Sequence, residues 1–386
     1  MKNKGFTLVE LLAVIAILAI LVIIALPNVL KMFNDAKKNS FLTEAKTVYS
    51  EVSKKYISES MKGNKLSYVS SEDDTKLEMT GRDLQYCVLL NTDGTIKNMK
   101  VSNGEWIAEL PSGKKITDLK NTDLKNGNLN DYDCTHPFNS DSWNEIALNA
   151  KDCVNNEENC LYKVGDEKEV DLGTYGKHKV RISNMSTPDE CKKDNFSESA
   201  CGFVLEFSDI IINHIMNPSG DYKGETYMRG WNKDGWPASD MYKFLNDESD
   251  TNSIINALPN ELKSIIINTK TVSGRGYEDI DNFASPDKLY LLATAEIWEQ
   301  GTSNTVDKDS ARENTRQLDY YKGVTTNNRA KAKVIKNNRA GLADEWWLRS
   351  AYSSASNIFY NVDDYGGWSY HNPFYTAGVS PAFRIG

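Results

Sequence analysis

Residues 6–26 form an apolar run interrupted by one charge, Glu10, and free of glycine and proline until Pro27. At 1.5 Å per residue this makes roughly 30 Å of helix, about the thickness of a bilayer core. Beyond Pro27 the pattern turns amphipathic. Phe41, Ala45, Val48, Val52 and Tyr56 recur at steps of three and four opposite Lys, Glu and Ser positions, which predicts a continuing helix with one stripe to bury. Such a stripe needs a partner. Short strand-like runs at 65–70, 86–90, 95–101 and 106–110, separated by Thr92-Asp93-Gly94 and Asn103-Gly104, supply one as an antiparallel meander.

From 111 to 159 the periodicity fades into Asn, Asp, Lys and Gly, with one short helix expected at 143–148. This stretch reads as a closing loop and a connector, 131–159, leading to a second domain, 160–386. There, strands are predicted at 169–172, 178–182 and 202–207, helical turns at 210–216, 240–245 and 258–267, a strand at 288–293 and a helix at 294–299. From Trp346 onward short aromatic runs alternate with Gly366-Gly367 and Pro373, the pattern of an antiparallel sheet with many loops. The fold class is α+β: a long N-terminal helix packed on a small antiparallel sheet, then a loop-rich mixed α/β domain.

Charge sharpens the picture. Lys2 and Lys4 precede the apolar run, so the N-terminus stays cytoplasmic and the chain from residue 28 is exported. An ordinary cleaved signal would have a shorter core and a small-residue exit site, and an ordinary anchor does not explain a carboxylate in the span, which is expensive in lipid unless paired. The formal net charge of -9 is uneven: 18 Lys and Arg against 15 Asp and Glu up to residue 130, and 27 against 39 thereafter. No basic patch interleaved with aromatics points to nucleic acid. Six cysteines, at 87, 134, 153, 160, 191 and 201, in an exported chain favour disulfides. The local pairs Cys153 with Cys160 and Cys191 with Cys201 are expected first, which leaves Cys87 with Cys134. Metal binding is the alternative, and Cys134-Thr135-His136 is its one suggestive fragment.

Six of the eight tryptophans lie between 231 and 368. Indoles can stiffen a loop-rich fold by burying area and donating to loop carbonyls, or can stay exposed as a recognition surface. Trp231, Trp236, Trp368 and Tyr370 are the candidate ligand surface. Arg349 and Arg384 lie inside strand-like segments, where each is expected to meet a carboxylate such as Asp287 or Asp344 as part of a structural polar core. Asn361, Asp363 and Asp364 are a candidate calcium set, although their spacing is not that of a regular calcium loop; no other cofactor is implied. No catalytic motif is present, and His136, His178, His214 and His371 are too scattered for a triad. The chain reads as a non-enzyme.

Lys4-Gly5-Phe6-Thr7-Leu8-Val9-Glu10, the apolar helix and Pro27 resemble the class III signal of type IV pilins and type II secretion pseudopilins. The resemblance implies that a prepilin peptidase cuts between Gly5 and Phe6 and methylates the new amine of Phe6. A glycine at position 5 keeps side chains out of the peptidase's way, and Pro27 relaxes the helix by removing a ladder bond. It also implies that Glu10 of one subunit compensates the buried ammonium of a neighbour during assembly. The expected organisation is then a leader (1–5), a membrane and filament-core helix (6–27), a pilin globular domain (28–130), the connector and the second domain. Other pilin subunits, the peptidase and inner-membrane assembly machinery are the implied partners. The implied location is the membrane before assembly and the pilus, extracellular, afterwards.

The order of Val164-Gly165-Asp166, Gly173-Thr-Tyr-Gly176, residues 231–236, Asp287-Lys-Leu-Tyr-Leu-Leu292, residues 315–321, Trp346-Trp-Leu-Arg-Ser350 and Gly378-Val-Ser-Pro-Ala-Phe-Arg384 resembles a little-characterised group of exterior domains from Gram-positive anaerobes. That group is in turn similar to C-type-lectin-like and formylglycine-generating-enzyme-like folds. This implies a Gram-positive surface and a core sheet in which the WWLRS and GV-x-PAFR strands pair. Many members carry Arg where Ser380 stands here. Formylglycine chemistry needs a cysteine pair in the catalytic domain, and no cysteine follows Cys201. The expected function is that of a minor pilin carrying a lectin-like domain on or at the tip of a pilus, for adhesion to a glycan or surface protein. The alternative is a structural pseudopilin that caps or primes a short filament for secretion or DNA uptake.

Overall fold

In the first unit, Met1–Thr135, a single helix carries both halves of the N-terminal pattern. The computed structural model describes residues 8–64, 66–79, 83–155, 160–299, 304–310, 312–326 and 331–386; Gly5 and Phe6 lie outside them. Helix α1 (Leu8–Met61) runs 54 residues without a break at Pro27. Its first half exposes Leu8, Leu11, Ile15, Leu18 and Val22 and is long and apolar enough to cross a membrane. Its second half buries Phe41, Ala45, Val48 and Val52 completely. The helix stops at Gly63, whose φ of 84° is costly for a residue with a Cβ. There, Asn64 N–H donates to Glu59 O at 3.0 Å and Gly63 N–H to Ser60 O at 3.1 Å, satisfying the last carbonyls.

The buried stripe meets a five-stranded meander in sequence order: β1 (Tyr68–Ser70), β2 (Gln85–Leu90), β3 (Ile96–Ser102), β4 (Trp106–Leu110) and β5 (Lys125–Asn126). Val88, Met99, Val101, Trp106 and Ala108 form the facing layer, with Phe41 and Trp106 rings 6.4 Å apart. Tyr56, the last residue of the stripe, lies against the β2–β3 turn. A Cβ on Gly94 would come within 2.1 Å of its ring, so only glycine lets helix and turn approach this closely.

The second unit is His136–Gly386. Residues 136–155, read from the sequence as connector, form α2 (Pro137–Ser140) and α3 (Trp143–Asn155). They bury Phe138, Trp143, Ile146, Ala150 and Cys153 in the core of this unit. Two five-stranded sheets follow. The first has the order β12, β21, β8, β7, β6, and the second β19, β18, β17, β20, β9. Their strands are β6 (Glu167–Asp171), β7 (Lys177–Asn184), β8 (Val204–Phe207), β9 (Ile212–Ile215), β12 (Ile266–Ile267), β17 (Trp346–Ala351), β18 (Phe359–Val362), β19 (Trp368–His371), β20 (Thr376–Val379) and β21 (Ala382–Ile385). Two-stranded ribbons fill the gaps: β10 (Gly220–Tyr222) with β11 (Glu225–Tyr227), β13 (Thr269–Ser273) with β14 (Phe283–Asp287), and β15 (Lys336–Asn337) with β16 (Ala343–Asp344).

Three differences from the sequence reading are physical. Residues 210–216 are not helical: Ile212–Ile215 is an edge strand beside β20, as suits a β-branched run. Residues 288–293 form no regular strand but lie extended between the sheets, with Tyr290 bonding Ala382 in both directions and Arg349 N–H donating to Leu292 O. The helical reading of 258–267 shortens to Asn260–Ile265 before the chain enters β12. The WWLRS and GV-x-PAFR segments do meet, at a parallel bridge between Trp346 and Gly378. All six cysteines are oxidised as Cys87–Cys134, Cys153–Cys160 and Cys191–Cys201, so Cys134 has no thiolate for a metal.

The chain changes sheet after β8 and again at Ser380-Pro381, and a buried charge cluster sits at both crossings. Glu206 accepts from Arg181 Nε at 2.9 Å, Lys336 Nζ at 2.8 Å and the Tyr321 hydroxyl at 3.1 Å. Lys336 also donates to Phe207 O at 2.7 Å and Ser380 Oγ at 2.8 Å. Lys336 thus supplies a cation beside Ser380. Burial pushes the Glu206 carboxyl up, but Arg181 and Lys336 outweigh it and hold it down at about 2. A second cluster pairs Arg349 with Glu296 in two bonds of 2.7 and 2.6 Å, both residues fully buried. This corrects the expectation of an Asp287 or Asp344 partner. Asp287 instead accepts the Trp236 indole N–H at 2.8 Å, and Arg384 pairs with Glu198 at 2.7 Å.

Beside Arg349, buried Glu313 accepts from Thr294 Oγ1 at 3.1 Å and Ala295 N–H at 3.3 Å. Burial raises its carboxyl from 4.5 to about 7, so between these values the folded state holds a proton that the unfolded chain has lost. Stability therefore falls as pH rises through that window. Glu313→Gln should gain on the wild type from pH 4.5 to 7, by up to about 3 kcal/mol, and not below. Urea unfolding at about pH 4 and about pH 7 measures this, and a pH-independent difference between the two proteins refutes it.

Candidate recognition surface

Trp236 is fully buried and Trp231 is 6% exposed, which corrects the reading of both as ligand-facing rings. Trp231 stacks on Tyr222 with centroids 4.5 Å apart, and Trp236 is fixed through Asp287. Trp346 and Trp347 are also buried, with their indoles donating to Val334 O at 3.2 Å and His214 O at 2.9 Å. Trp368 is half-buried against the core. Of the four candidates only Tyr370, 47% exposed, faces solvent. The indoles stiffen loops; the outward rings are smaller.

Those rings sit on loops gathered by two buried asparagines. Asn232, with no exposed surface, shares its Nδ2 among Tyr352 O, Ala355 O and Ile358 O at 2.8, 2.7 and 2.8 Å. Its Oδ1 accepts Tyr277 N–H at 3.1 Å. Gly276 lies so close that a Cβ would reach Asn232 O at 1.9 Å. Asn217 donates from Nδ2 to Trp231 O at 2.6 Å, accepts Asp240 N–H at 2.9 Å, and donates its own N–H to Pro373 O at 3.0 Å. Asn217 and Asn232 therefore join segments near 217, 231, 277, 355 and 373, which lie far apart in sequence. A carboxamide suits this task because it carries two donors and an acceptor in one rigid plane.

Several of the side chains that these loops turn outward are large and apolar. Met228, Tyr277, Ile280, Tyr370, Phe374 and Tyr375 are 84, 37, 83, 47, 44 and 47% exposed. Tyr370 stacks on Tyr352 at 5.9 Å, and Tyr375 on His371 at 4.3 Å. His371 in turn meets Glu345 at 2.7 Å. Gly230 packs against Pro373 and the Phe374 backbone, which brings the Met228 loop beside Phe374. Beneath, Asp234 accepts from the Tyr222 hydroxyl at 2.7 Å and pairs with Lys223 at 2.6 Å. Burial raises the Asp234 carboxyl, but these two partners outweigh it and keep it low. A set of exposed large apolar side chains on rigid loops is the usual mark of a contact surface. Apart from Tyr370, sequence reasoning missed it. The one available signal was Pro373-Phe374-Tyr375, three residues in a turn that pattern analysis treats as mere punctuation.

Two of the three candidate calcium residues make hydrogen bonds within the protein. Asp363 Oδ1 caps its own turn through Tyr365 N–H at 2.9 Å and Gly367 N–H at 2.7 Å, and buried Asn361 donates to Glu345 at 3.3 Å. Asp364 is exposed. Among the described residues no group of three or more His, Cys, Asp or Glu side chains is placed to hold a metal ion.

An α+β chain with a long apolar N-terminal helix is the class that the fold defines. Residues 1–26 match the prokaryotic N-terminal methylation motif. The chain thus carries the class III signal and long helix typical of type IV pilins and pseudopilins, those of a membrane-anchored precursor processed for surface display. Residues 206–386, from Glu206 of β8 to the C-terminus, match a domain of unknown function (DUF6273). No curated protein and no solved structure matches the chain.

Removing the Asn232 carboxamide would leave three loop carbonyls without their shared donor, a cost of about 1–3 kcal/mol. Asn232→Ala should therefore speed amide hydrogen exchange in residues 352–358 and at Tyr277 while exchange in β7 and β8 stays slow. Uniform acceleration across the unit, or none, contradicts this account.

Proposed function

We propose that the chain is a minor type IV pilin whose second unit is displayed on, or at the tip of, a pilus and recognises a surface through its aromatic loop end. The reading rests on Tyr370, Phe374, Tyr375 and Met228, held outward by loops that Asn232 and Asn217 lock from below. Exposed rings on preorganised loops lose little entropy on binding, which suits a glycan face or a shallow protein surface. We take this unit as a binding module, because its loops present large apolar side chains outward. A lectin-like relationship is consistent with this reading, and the two packed five-stranded sheets leave room for it.

The N-terminal part of the proposal follows from the methylation motif. Prepilin peptidase would cleave after Gly5, Phe6 would become the methylated terminus, and Glu10, in the first turn of α1, would meet the ammonium of a neighbouring subunit. Pilus assembly machinery and other pilins are the partners in that case. A unit as large as 136–386 would crowd a regular shaft, which favours low-copy placement.

Gly5→Leu should leave full-length precursor in the membrane; mass spectrometry finding normal cleavage before Phe6 in this variant removes the processing step. The second unit has its own core, all from residue 138 onward, so residues 136–386 are the fragment to screen against cells and glycans. A fragment starting at 160 would lack Phe138, Trp143 and Ile146. Tyr370→Ala with Phe374→Ala should lose at least about tenfold in binding with unchanged thermal unfolding. Undiminished binding by this folded variant, or no binding by the wild type, moves the function to filament capping.

A further inference from the structure

A cleft of ≈ 530 Å³ opens in the second unit between three segments: the turn Gly173–Tyr175, residues 210–213 leading into β9, and residues 338–340 in the β15–β16 turn. None of its lining residues belongs to the aromatic loop end. The volume falls within the range of about 300–1,000 Å³ that holds small ligands, and the walls are tied. Ile210 N–H donates to Asn337 O at 2.9 Å. Asn338 Oδ1 accepts Ala340 N–H at 3.0 Å and Leu342 N–H at 3.2 Å. The Tyr175 hydroxyl donates to Asn252 O.

Its chemistry is lopsided. Ile210, Ile211 and Ile212 make one side apolar, with Ile212 37% exposed at the rim. The amides of Asn213 and Asn338 already donate to Asp344 Oδ2, at 3.3 and 3.2 Å. Arg339 is the one charged residue in the lining. Its guanidinium lies over Gly176, where a Cβ would come within 3.1 Å of Nη2, and among the described residues no carboxylate pairs with it. The carboxylates on the flanking elements are engaged elsewhere: Asp171 caps Gly173 N–H at 2.9 Å, Asp209 meets His178 at 3.0 Å, and Asp344 takes the two amides. Burial lowers the His178 imidazole, but Asp209 outweighs both burial and the charge of the nearby Arg339 and holds it above its usual value. Arg339 is thus the one charged side chain that lines the cleft, while the flanking carboxylates make their hydrogen bonds to other groups.

We propose that this cleft binds a small carboxylate-bearing ligand, with Arg339 taking the carboxylate through its planar fork and the isoleucines covering an apolar flank. A uronic-acid unit of a glycan and the carboxyl end of a peptide both present this chemistry. The test uses the full-length, detergent-solubilised chain and saturation-transfer NMR with glucuronate against glucose, and N-acetyl-leucine against N-acetyl-leucinamide. At least one acid should bind about tenfold more tightly than its neutral counterpart. Which acid does so identifies the source, and preference for both acids equally supports the carboxylate site. Arg339→Ala should erase the preference with thermal unfolding unchanged, and Arg339→Lys, which keeps the charge but not the fork, should retain part of it. Three outcomes overturn the proposal: neither acid binding up to about 50 mM, acids and neutral analogues binding alike, or Arg339→Ala keeping the preference.

Discussion

The carboxylate of Glu206, shared between Arg181 and Lys336 with no exposed surface of its own, is the constraint on which the second unit depends. A buried ion is tolerated only when its partners and hydrogen bonds replace the water it gives up. Here the partners come from β7 and β15, and Lys336 reaches two of the points at which the chain leaves one sheet for the other, Phe207 and Ser380. Apolar burial alone is non-directional and would not fix how the two sheets meet. A directional cluster at the crossings allows one arrangement.

The Arg349–Glu296 pair acts in the same way one layer over. Glu296 accepts Ala293 N–H at 2.9 Å at the start of a short helix, and Arg349 donates to Leu291 O at 2.7 Å. Residues 289–293 are thereby held between β17 and β21. From this frame outward the hydrogen bonds pass to neutral amides, Asn217 and Asn232, which organise loops rather than sheets. The gradation makes physical sense. Charges sit where the surroundings are driest and the chain crosses, while carboxamides sit where loops near solvent need several weak bonds at once.

The exposed aromatic loops and the Arg339 cleft are consequences of that frame. Rings as large as Phe374 and Tyr375 stay outward because the positions beneath them are already filled by Pro373, Gly230 and Asn217. Arg339 lines its cleft without an ion-pair partner among the described residues, while Asp209 and Asp344 bond to His178 and to two asparagines. In both places binding capacity is what remains after the scaffold has satisfied its own polar groups.

The linear pattern by itself determined what depends on neighbours in sequence. The apolar span, the stripe from Phe41 to Val52, the meander with its Gly94 turn, and the two short-range disulfides all follow from local periodicity, turn chemistry and short loop closure. Tertiary structure decided what depends on distant partners. Arg349 finds Glu296, and Asp287 instead accepts the indole N–H of Trp236, 51 residues away in sequence. Residues 212–215 become a strand because β20, from the end of the chain, offers an edge. Trp231 lies inside while Tyr370, Phe374 and Tyr375 face outward once the loops close around Asn217 and Asn232. No one-dimensional pattern encodes which of two aromatic residues a folded loop will cover.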